Sequence, residues 1–297
     1  MESAWSQILG PAILFALMIV VGLQLSVADF RRVLEVPRAV VAGTAGQILF
    51  LPAMAAAIVY LFGIEPMLGV GAVLLAAAPG AALSNVLTAV ARGHVALSVT
   101  LTAVSSVLAV LTIPGLTALS MHLFLGDAAE VRVPFLEVAG QLVLYLLLPI
   151  LLGMRIRAWR PDSAARYIQW ANRIAIVGIV ALTVLGVMTG SSDLPSGAAF
   201  GRSALAALVW TVCAMGLGWG IATLLRLDLR DRFTFLIEFS ARNLGLAMIV
   251  ALASFQSLEL ALFGGVYSMS GFPLVIGTAV LIGRIAGRRE AAAGSSG

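Results

Sequence analysis

The sequence has no lysine and few charged residues of any kind. Charged side chains make up 11% of the 297 residues and hydrophobic ones 61%, whereas about a quarter of the residues of a soluble domain are charged. This shortage of charge excludes water as the main solvent of the folded chain. The absence of lysine also excludes a phosphate-binding loop of the Gly-Lys-Ser or Gly-Lys-Thr type.

Other features that would mark a catalytic or nucleic-acid-binding protein are also missing. The single cysteine, Cys213, has no partner for an internal disulfide bond. There is no His-Glu-x-x-His zinc motif and no pair of aspartates within an apolar segment, which argues against an intramembrane enzyme. The net charge is +4, but the arginines lie at the ends of apolar segments, which favours a membrane topology over nucleic-acid binding.

What the sequence does contain is a succession of apolar segments. A membrane-spanning helix needs about 20 apolar residues, and breaks at proline, glycine and charged clusters divide the chain into about nine such segments. The predicted fold is therefore all-α, a polytopic membrane domain that occupies the whole chain, 1–297. The predicted spans are 8–25, 38–62, 66–91, 95–122, 134–154, 171–190, 203–225, 231–256 and 261–283.

The arginines are distributed unevenly over the two ends of these spans. If the connections alternate between two sides, 15 of the 18 arginines fall on one side and two on the other, while Arg242 lies inside the eighth span. Cytoplasmic connections are rich in positive charge. The sequence thus predicts a multi-pass protein of the inner membrane of a bacterium, with its N-terminus outside and its C-terminus in the cytoplasm.

The third and eighth spans do not suit continuous membrane helices. Pro79 and Gly80 interrupt the third span shortly before Ser84 and Asn85, because proline removes a backbone donor and glycine loosens the helix. The eighth span contains the segment 238–245, which puts two charges at membrane depth. Such polar or irregular backbone persists only inside protein or beside water, and a pair of interrupted spans in two inverted repeats is typical of a transporter binding site.

At these two spans the sequence resembles the bile acid:sodium symporter family, in particular its bacterial members. The resemblance implies a core domain of two discontinuous crossing helices and their neighbours, at about 38–122 and 203–256. It also implies a panel domain at about 8–25, 134–190 and 261–283, with the substrate moving between the two. The matching positions are 22–30, Gln47 with Pro52, Pro79-Gly80 with Ser84-Asn85, 91–98 with Thr102, and Glu238, Asn243 and Gly245.

The same resemblance implies a sodium site. Sodium needs several hard oxygen ligands, and the ends of a broken helix offer unpaired carbonyl oxygens beside the side chains. Ser98 and Thr102 are four residues apart and share one helix face. The residues that match the family's first sodium site are Ser84, Asn85, Ser98, Thr102 and Glu238.

The sequence departs from the family at the second sodium site. Gln47 matches a glutamine of that site, but the residue four after Glu238 is Arg242, where the family has another glutamine. A guanidinium paired with the Glu238 carboxylate across one helical turn would be a fixed cation in place of an exchangeable one. We therefore predict that at most one sodium is coupled, with sodium-independent transport as the alternative. Arg242 is also a candidate ligand for a substrate carboxylate.

The expected substrate is an organic anion, either bile acid-like or a smaller carboxylate. The last span lacks the His-Asn pair of many relatives and has the segment 267–274 in its place. The expected partners are this anion and membrane lipid. The sequence indicates no protein partner. An intramembrane enzyme and a channel are the two rival classes. The missing motifs argue against the enzyme, and polarity concentrated at one depth favours alternating access over a channel. The candidate substrate contacts lie near the two breaks and are Asn85, Thr88, Ser240, Arg242 and Asn243.

Overall fold

The computed structural model describes residues 15–126, 135–161 and 197–294, except 17, 24 and 256, together with Tyr167. Within these residues the regular secondary structure is helical, which confirms the predicted all-α fold. Residues 8–14, 17 and 24 of the span 8–25 and the whole of the span 171–190 lie outside the described residues. The number of nine spans therefore stays a prediction.

Besides the helical residues 15, 16 and 18–23 of the first span, eleven helices are described and are numbered here in chain order. Three of them contain or continue into a wider π turn, at Gly46–Phe50, Val143–Leu147 and Val250–Ser254. The helices are α1 (Val27–Glu35), α2 (Pro37–Phe62), α3 (Pro66–Ala77), α4 (Ala82–Val90), α5 (Val95–Leu125), α6 (135–159), α7 (Ala198–Leu224), α8 (Leu229–Ser240), α9 (Leu244–Ile249), α10 (Leu258–Met269) and α11 (Gly271–Gly294).

Five helical stretches are long and apolar enough to cross a bilayer among the described residues. They lie in α2, α5, α6 and α7 and across α10 and α11 together. Large apolar side chains such as Leu61, Leu136 and Leu224 are exposed on their outer faces, where lipid can cover them. The chain is therefore a multi-pass membrane protein.

Both predicted interruptions are confirmed. The third span divides into α3 and α4, because Pro79 has no N–H and the residue before a proline avoids the helical conformation. Ala78 accordingly has an extended backbone, with ψ of 144°. The eighth span divides into α8 and α9 after Ala241, with ψ of 96°. Asn243 then starts α9 by accepting the N–H of Leu246 at 3.0 Å.

The last span, predicted as one helix at 261–283, is also interrupted. Ser270 separates α10 from α11, and the chain there approaches α7 closely. A Cβ added at Gly271 would lie 2.2 Å from Oγ1 of Thr211. The local signal for this break was Gly271 followed by Pro273, because proline has no N–H and its ring clashes with the carbonyl four residues before it, that of Met269.

The helix α3 lies at the centre of the described residues, packed against α2, α5 and α10. A Cβ at Gly71 would lie 2.2 Å from the carbonyl oxygen of Leu260, so the backbones of α3 and α10 are in contact. Gly22 of the first span similarly approaches the carbonyl of Ile150 in α6. The core and panel division itself stays a prediction.

Candidate sodium and substrate site

The two helix interruptions meet in the interior of the protein. Gly80 and Arg242 face each other as an isolated antiparallel bridge. The N–H of Asn243 donates to the carbonyl of Pro79 at 2.9 Å. Backbone groups that each break leaves without a helical partner thus bond to the other break, as a non-aqueous environment requires.

The carboxylate of Glu238 lies at this crossing and is fully buried. Its Oε1 accepts hydrogen bonds from the hydroxyls of Ser84, at 2.6 Å, and Ser98, and its Oε2 accepts one from Thr102 at 3.2 Å. The Ser98 hydroxyl also lies 2.8 Å from Oδ1 of Asn85. The structure therefore brings together the five residues that the resemblance assigns to the first sodium site.

The chemistry of this group suits a small hard cation. Each member offers a side-chain oxygen, and one of them carries the negative charge that such ions prefer. In the structure the three hydroxyls donate to the carboxylate. Rotation of the same hydroxyls would turn their lone pairs toward an ion, because a hydroxyl both donates and accepts. The residues present thus fit sodium.

The cage formed by Ser84, Thr102 and Glu238 leaves no room for a side chain at Gly80. A Cβ there would lie 2.5 Å from Oε2 of Glu238 and 2.7 Å from Oγ1 of Thr102. We expect Gly80→Ala to displace the carboxylate, lower the melting temperature and abolish stabilisation by sodium, as measured by thermal unfolding in sodium and in potassium. Gly115→Ala is the control, since a Cβ at Gly115 meets nothing within 4 Å. Wild-type sodium stabilisation in Gly80→Ala would contradict this account of the cage.

Arg242 lies just beyond the end of α8 and is 2% exposed. Its Nε donates to the carbonyl of Ala78 at 2.9 Å, and its Nη1 donates to the backbone carbonyl of Glu238 at 2.9 Å. Nη2 also donates to the Ala78 carbonyl, and both Nη atoms lie 3.4 Å from Oε1 of Gln47. These five hydrogen bonds match the five N–H donors of a guanidinium.

The predicted pairing of the Glu238 and Arg242 side chains is therefore wrong. It assumed a continuous helix, but α8 ends at Ser240, so the two residues do not share a helix face. The guanidinium contacts the main-chain carbonyl of Glu238 rather than its carboxylate. Gln47, Glu238 and Arg242 nevertheless meet, through this carbonyl and the Gln47 side chain.

Gln47 occupies the wide π turn of α2, Gly46–Phe50. Such turns are often found at functional sites, where they shift a side chain out of helical register. The Oε1 atom of Gln47 faces Arg242, whereas its Nε2 is buried with no hydrogen-bond partner among the described residues. The arginine thus fixes which end of the amide points into the crossing.

Tyr267 of α10 is a site residue that the sequence analysis did not identify. Its hydroxyl donates to the carbonyl of Ser240, at the end of α8. The ring is fully buried and packs nearly perpendicular to the ring of Trp210, with 5.9 Å between ring centroids. The sequence signal that could have identified it was the tyrosine in the segment 267–274, which stands in place of the His-Asn pair expected from the family resemblance. Side-chain donors from Arg242 and Tyr267 therefore bond to carbonyls at both breaks.

Four of the five candidate substrate contacts lie at the crossing, whereas Thr88 lies further along α4, beside Gly93 and Thr234. All five are closed to solvent in this conformation. None is more than 7% exposed. Asn243 caps α9 through its side chain, and the Thr88 hydroxyl is buried with no partner among the described residues. The candidates are Asn85, Thr88, Ser240, Arg242 and Asn243.

A buried acid between two crossing, interrupted helices of a multi-pass membrane protein is typical of secondary transporters. The chain belongs to the Sodium Bile acid symporter family, which it matches over residues 11–194. This match includes Gln47 and the first interruption, and it ends before Glu238.

Similar proteins with broader coverage are also transporters by name. The sodium-dependent transporter YocS of Bacillus subtilis is 28% identical over 261 residues, which are 84% of this chain and 76% of that protein. The probable sodium/metabolite cotransporter BASS1 of Arabidopsis thaliana is 29% identical over 80% of this chain and 57% of its own length. Mouse sodium/bile acid cotransporter 4 is 26% identical, over 76% and 55%. Their names suggest sodium as the coupling ion of the family.

Proposed function

We propose that this chain is a secondary active transporter that moves an organic anion by alternating access across the inner membrane of a bacterium. At most one sodium, held by the five-residue site around Glu238, is coupled to transport. The guanidinium of Arg242 takes the place of a second sodium. The substrate is a bile acid-like anion or a smaller carboxylate.

The observation that carries this proposal is the set of acceptors that Arg242 contacts. They are two backbone carbonyl oxygens freed by the helix breaks and the Oε1 atom of Gln47. Oxygens of this kind are the ligands that a second sodium would need. Because the guanidinium is covalently attached, its charge cannot enter and leave with the sodium gradient. A permanently attached charge thus takes the place of a second sodium that would bind and dissociate.

Charge counting supports a single coupled ion. Glu238 and Arg242 carry opposite charges in an environment where unbalanced charge is costly, so the site is neutral without ions. One bound sodium makes it positive by one unit and thus suited to one monovalent anion. The burial of every candidate substrate contact supports a closed conformation that must open to one side at a time.

A sodium-independent anion carrier is the second candidate function. It is favoured by the position of the Arg242 guanidinium at the crossing. Because this cation already offsets the charge of Glu238, the site does not require sodium to be neutral. In this conformation the donors of Arg242 are all engaged. Direct binding of a substrate carboxylate by Arg242 would require these hydrogen bonds to break.

Uptake by proteoliposomes tests the proposal. Taurocholate and short monocarboxylates are first screened by thermal shift, because a ligand of the folded state raises the melting temperature. We expect saturable uptake of the stabilising anion, with a Hill coefficient for sodium of about one. A coefficient near two would reject the replacement of the second sodium. Uptake without sodium would establish the alternative, and a linear current would indicate a channel.

A further inference from the structure

A second group of ionisable side chains lies away from the crossing. It is formed by the turn between the end of α4 and the start of α5, together with the start of α8. His94 follows α4, and its Nδ1 atom lies 2.6 Å from Oδ1 of Asp231 and 3.8 Å from Oδ1 of Asp228. The three potential ligand atoms lie within 4.8 Å of one another. The side chain of Asp228 is 59% exposed, so an ion can reach the group from water.

Hydrogen bonds fix these residues independently of any ion. The N–H of His94 donates to Oγ1 of Thr234 at 2.8 Å. Asp228 caps α8 by accepting the N–H of Asp231 at 2.8 Å. The turn before α5 and the first turn of α8 are thus held in register. Convergence of the ligand atoms therefore costs little conformational entropy.

Within the part of the chain that the structure describes, no arginine lies within ion-pair distance of the two aspartates. Arg230 and Arg232 lie on the same helix, but their Nε atoms donate to the backbone carbonyls of Arg92 and Leu227. Among the described residues, His94 is the basic side chain that approaches the two carboxylates within ion-pair distance. A neutral imidazole donates its Nδ1 proton to one acceptor at a time. Two carboxylates therefore converge on one imidazole nitrogen.

We propose that His94, Asp228 and Asp231 form a binding site for a divalent first-row metal ion, best suited to zinc. Metal bonds of about 2.0–2.2 Å in a tetrahedron place two ligand atoms roughly 3.4 Å apart, and the present 2.6 and 3.8 Å lie on either side of that value. An imidazole ligand favours zinc over sodium, magnesium or calcium. Water completes the coordination.

A bound ion would connect the turn that leads into α5 with the first turn of α8. These helices carry Ser98 and Thr102 on one side of the sodium cage and Glu238 on the other. The metal site is nevertheless separate from the cage, since its three residues are not among those that contact Glu238. The ion would hold the two helices together at the end predicted to face the cytoplasm.

Cobalt titration of the purified full-length protein tests the site. Cys213 is exposed, so the titration uses a Cys213→Ala background. We expect one equivalent of Co²⁺ to give a visible absorption band that zinc displaces, and zinc to raise the melting temperature. Both signals should be lost in His94→Asn. In Asp228→Asn the metal affinity should fall while the helix cap is kept, because asparagine caps as well as aspartate.

His122→Asn is the matched control, because His94 and His122 are the two histidines of the sequence. It should bind cobalt and zinc as the background protein does. Size-exclusion chromatography and circular dichroism establish that each variant is folded. The proposal is overturned if the background protein shows no one-to-one cobalt band, or if the folded Asp228→Asn and His94→Asn proteins bind the metal as tightly as it does.

Discussion

Arg242→Gln is expected to produce a transporter that couples two sodium ions. Removal of the guanidinium frees the carbonyl oxygens of Ala78 and Glu238 and the Oε1 atom of Gln47, and the new glutamine adds an amide oxygen. The carboxylate of Glu238 also loses its balancing charge. Each buried carbonyl without a partner costs about 1–3 kcal/mol, so the variant should be less stable than the wild type until sodium fills the gap.

Two measurements check this result. The Hill coefficient for sodium in proteoliposome uptake should rise from about one to about two. Uptake of a monovalent anion should also become sensitive to membrane potential, since two sodium ions and one such anion carry a net positive charge. The wild type, with one sodium per anion, should be insensitive to a potassium diffusion potential.

Arg242→Met is the control that separates loss of the cation from supply of a new ligand. Methionine fills a similar length but offers neither a charge nor a hard oxygen ligand. We expect this variant to be destabilised without regaining transport at high sodium. The replacement hypothesis fails if Arg242→Gln keeps the stability, the Hill coefficient and the potential independence of the wild type.

The two interruptions could be predicted because their causes are local. A missing N–H at Pro79 and two charges within one apolar span act on the backbone whatever the rest of the chain does. The identity of the oxygen ligands came instead from the resemblance to a known family. Their convergence on the Glu238 carboxylate agrees with that resemblance, although spacing along the sequence alone could not establish it.

The direction of the Arg242 side chain could not be predicted from spacing. An argument from residues four apart holds only while the helix continues, and Ala241 is extended. The main acceptor of the guanidinium, the carbonyl of Ala78, is 164 positions earlier in the sequence. The contact exists because the two breaks cross. The donation from Tyr267 to Ser240 likewise depends on how α10 packs against α8, which no local pattern records.

Glu238→Gln is expected to weaken sodium binding strongly and to make anion binding independent of sodium. Glutamine keeps Oε1 as the acceptor for Ser84 and Ser98, while Thr102 can rotate its hydroxyl to accept from the new amide. The fold should therefore persist. Loss of the charge from a buried site costs about 3 kcal/mol, which corresponds to a roughly 100-fold weaker sodium affinity. The uncompensated Arg242 then leaves the site positive by one unit without any ion.

Thermal unfolding with and without sodium and with the transported anion distinguishes these effects. In Glu238→Gln the anion should stabilise the protein equally in sodium and potassium, whereas the wild type should require sodium for that stabilisation. Glu259→Gln, at the exposed start of α10, should behave like the wild type. If Glu238→Gln retained sodium-dependent stabilisation, the carboxylate would not be part of the sodium site.

The double variant Glu238→Gln with Arg242→Gln isolates charge balance from the other effects of each substitution. Its site is neutral and has no carboxylate to attract sodium, so neither sodium nor the anion should stabilise it. The anion binding gained in Glu238→Gln should thus disappear when Arg242 is also replaced. If the double variant still bound the anion without sodium, the anion would be recognised by contacts other than the charge of Arg242, and the net charge of the crossing would not control coupling.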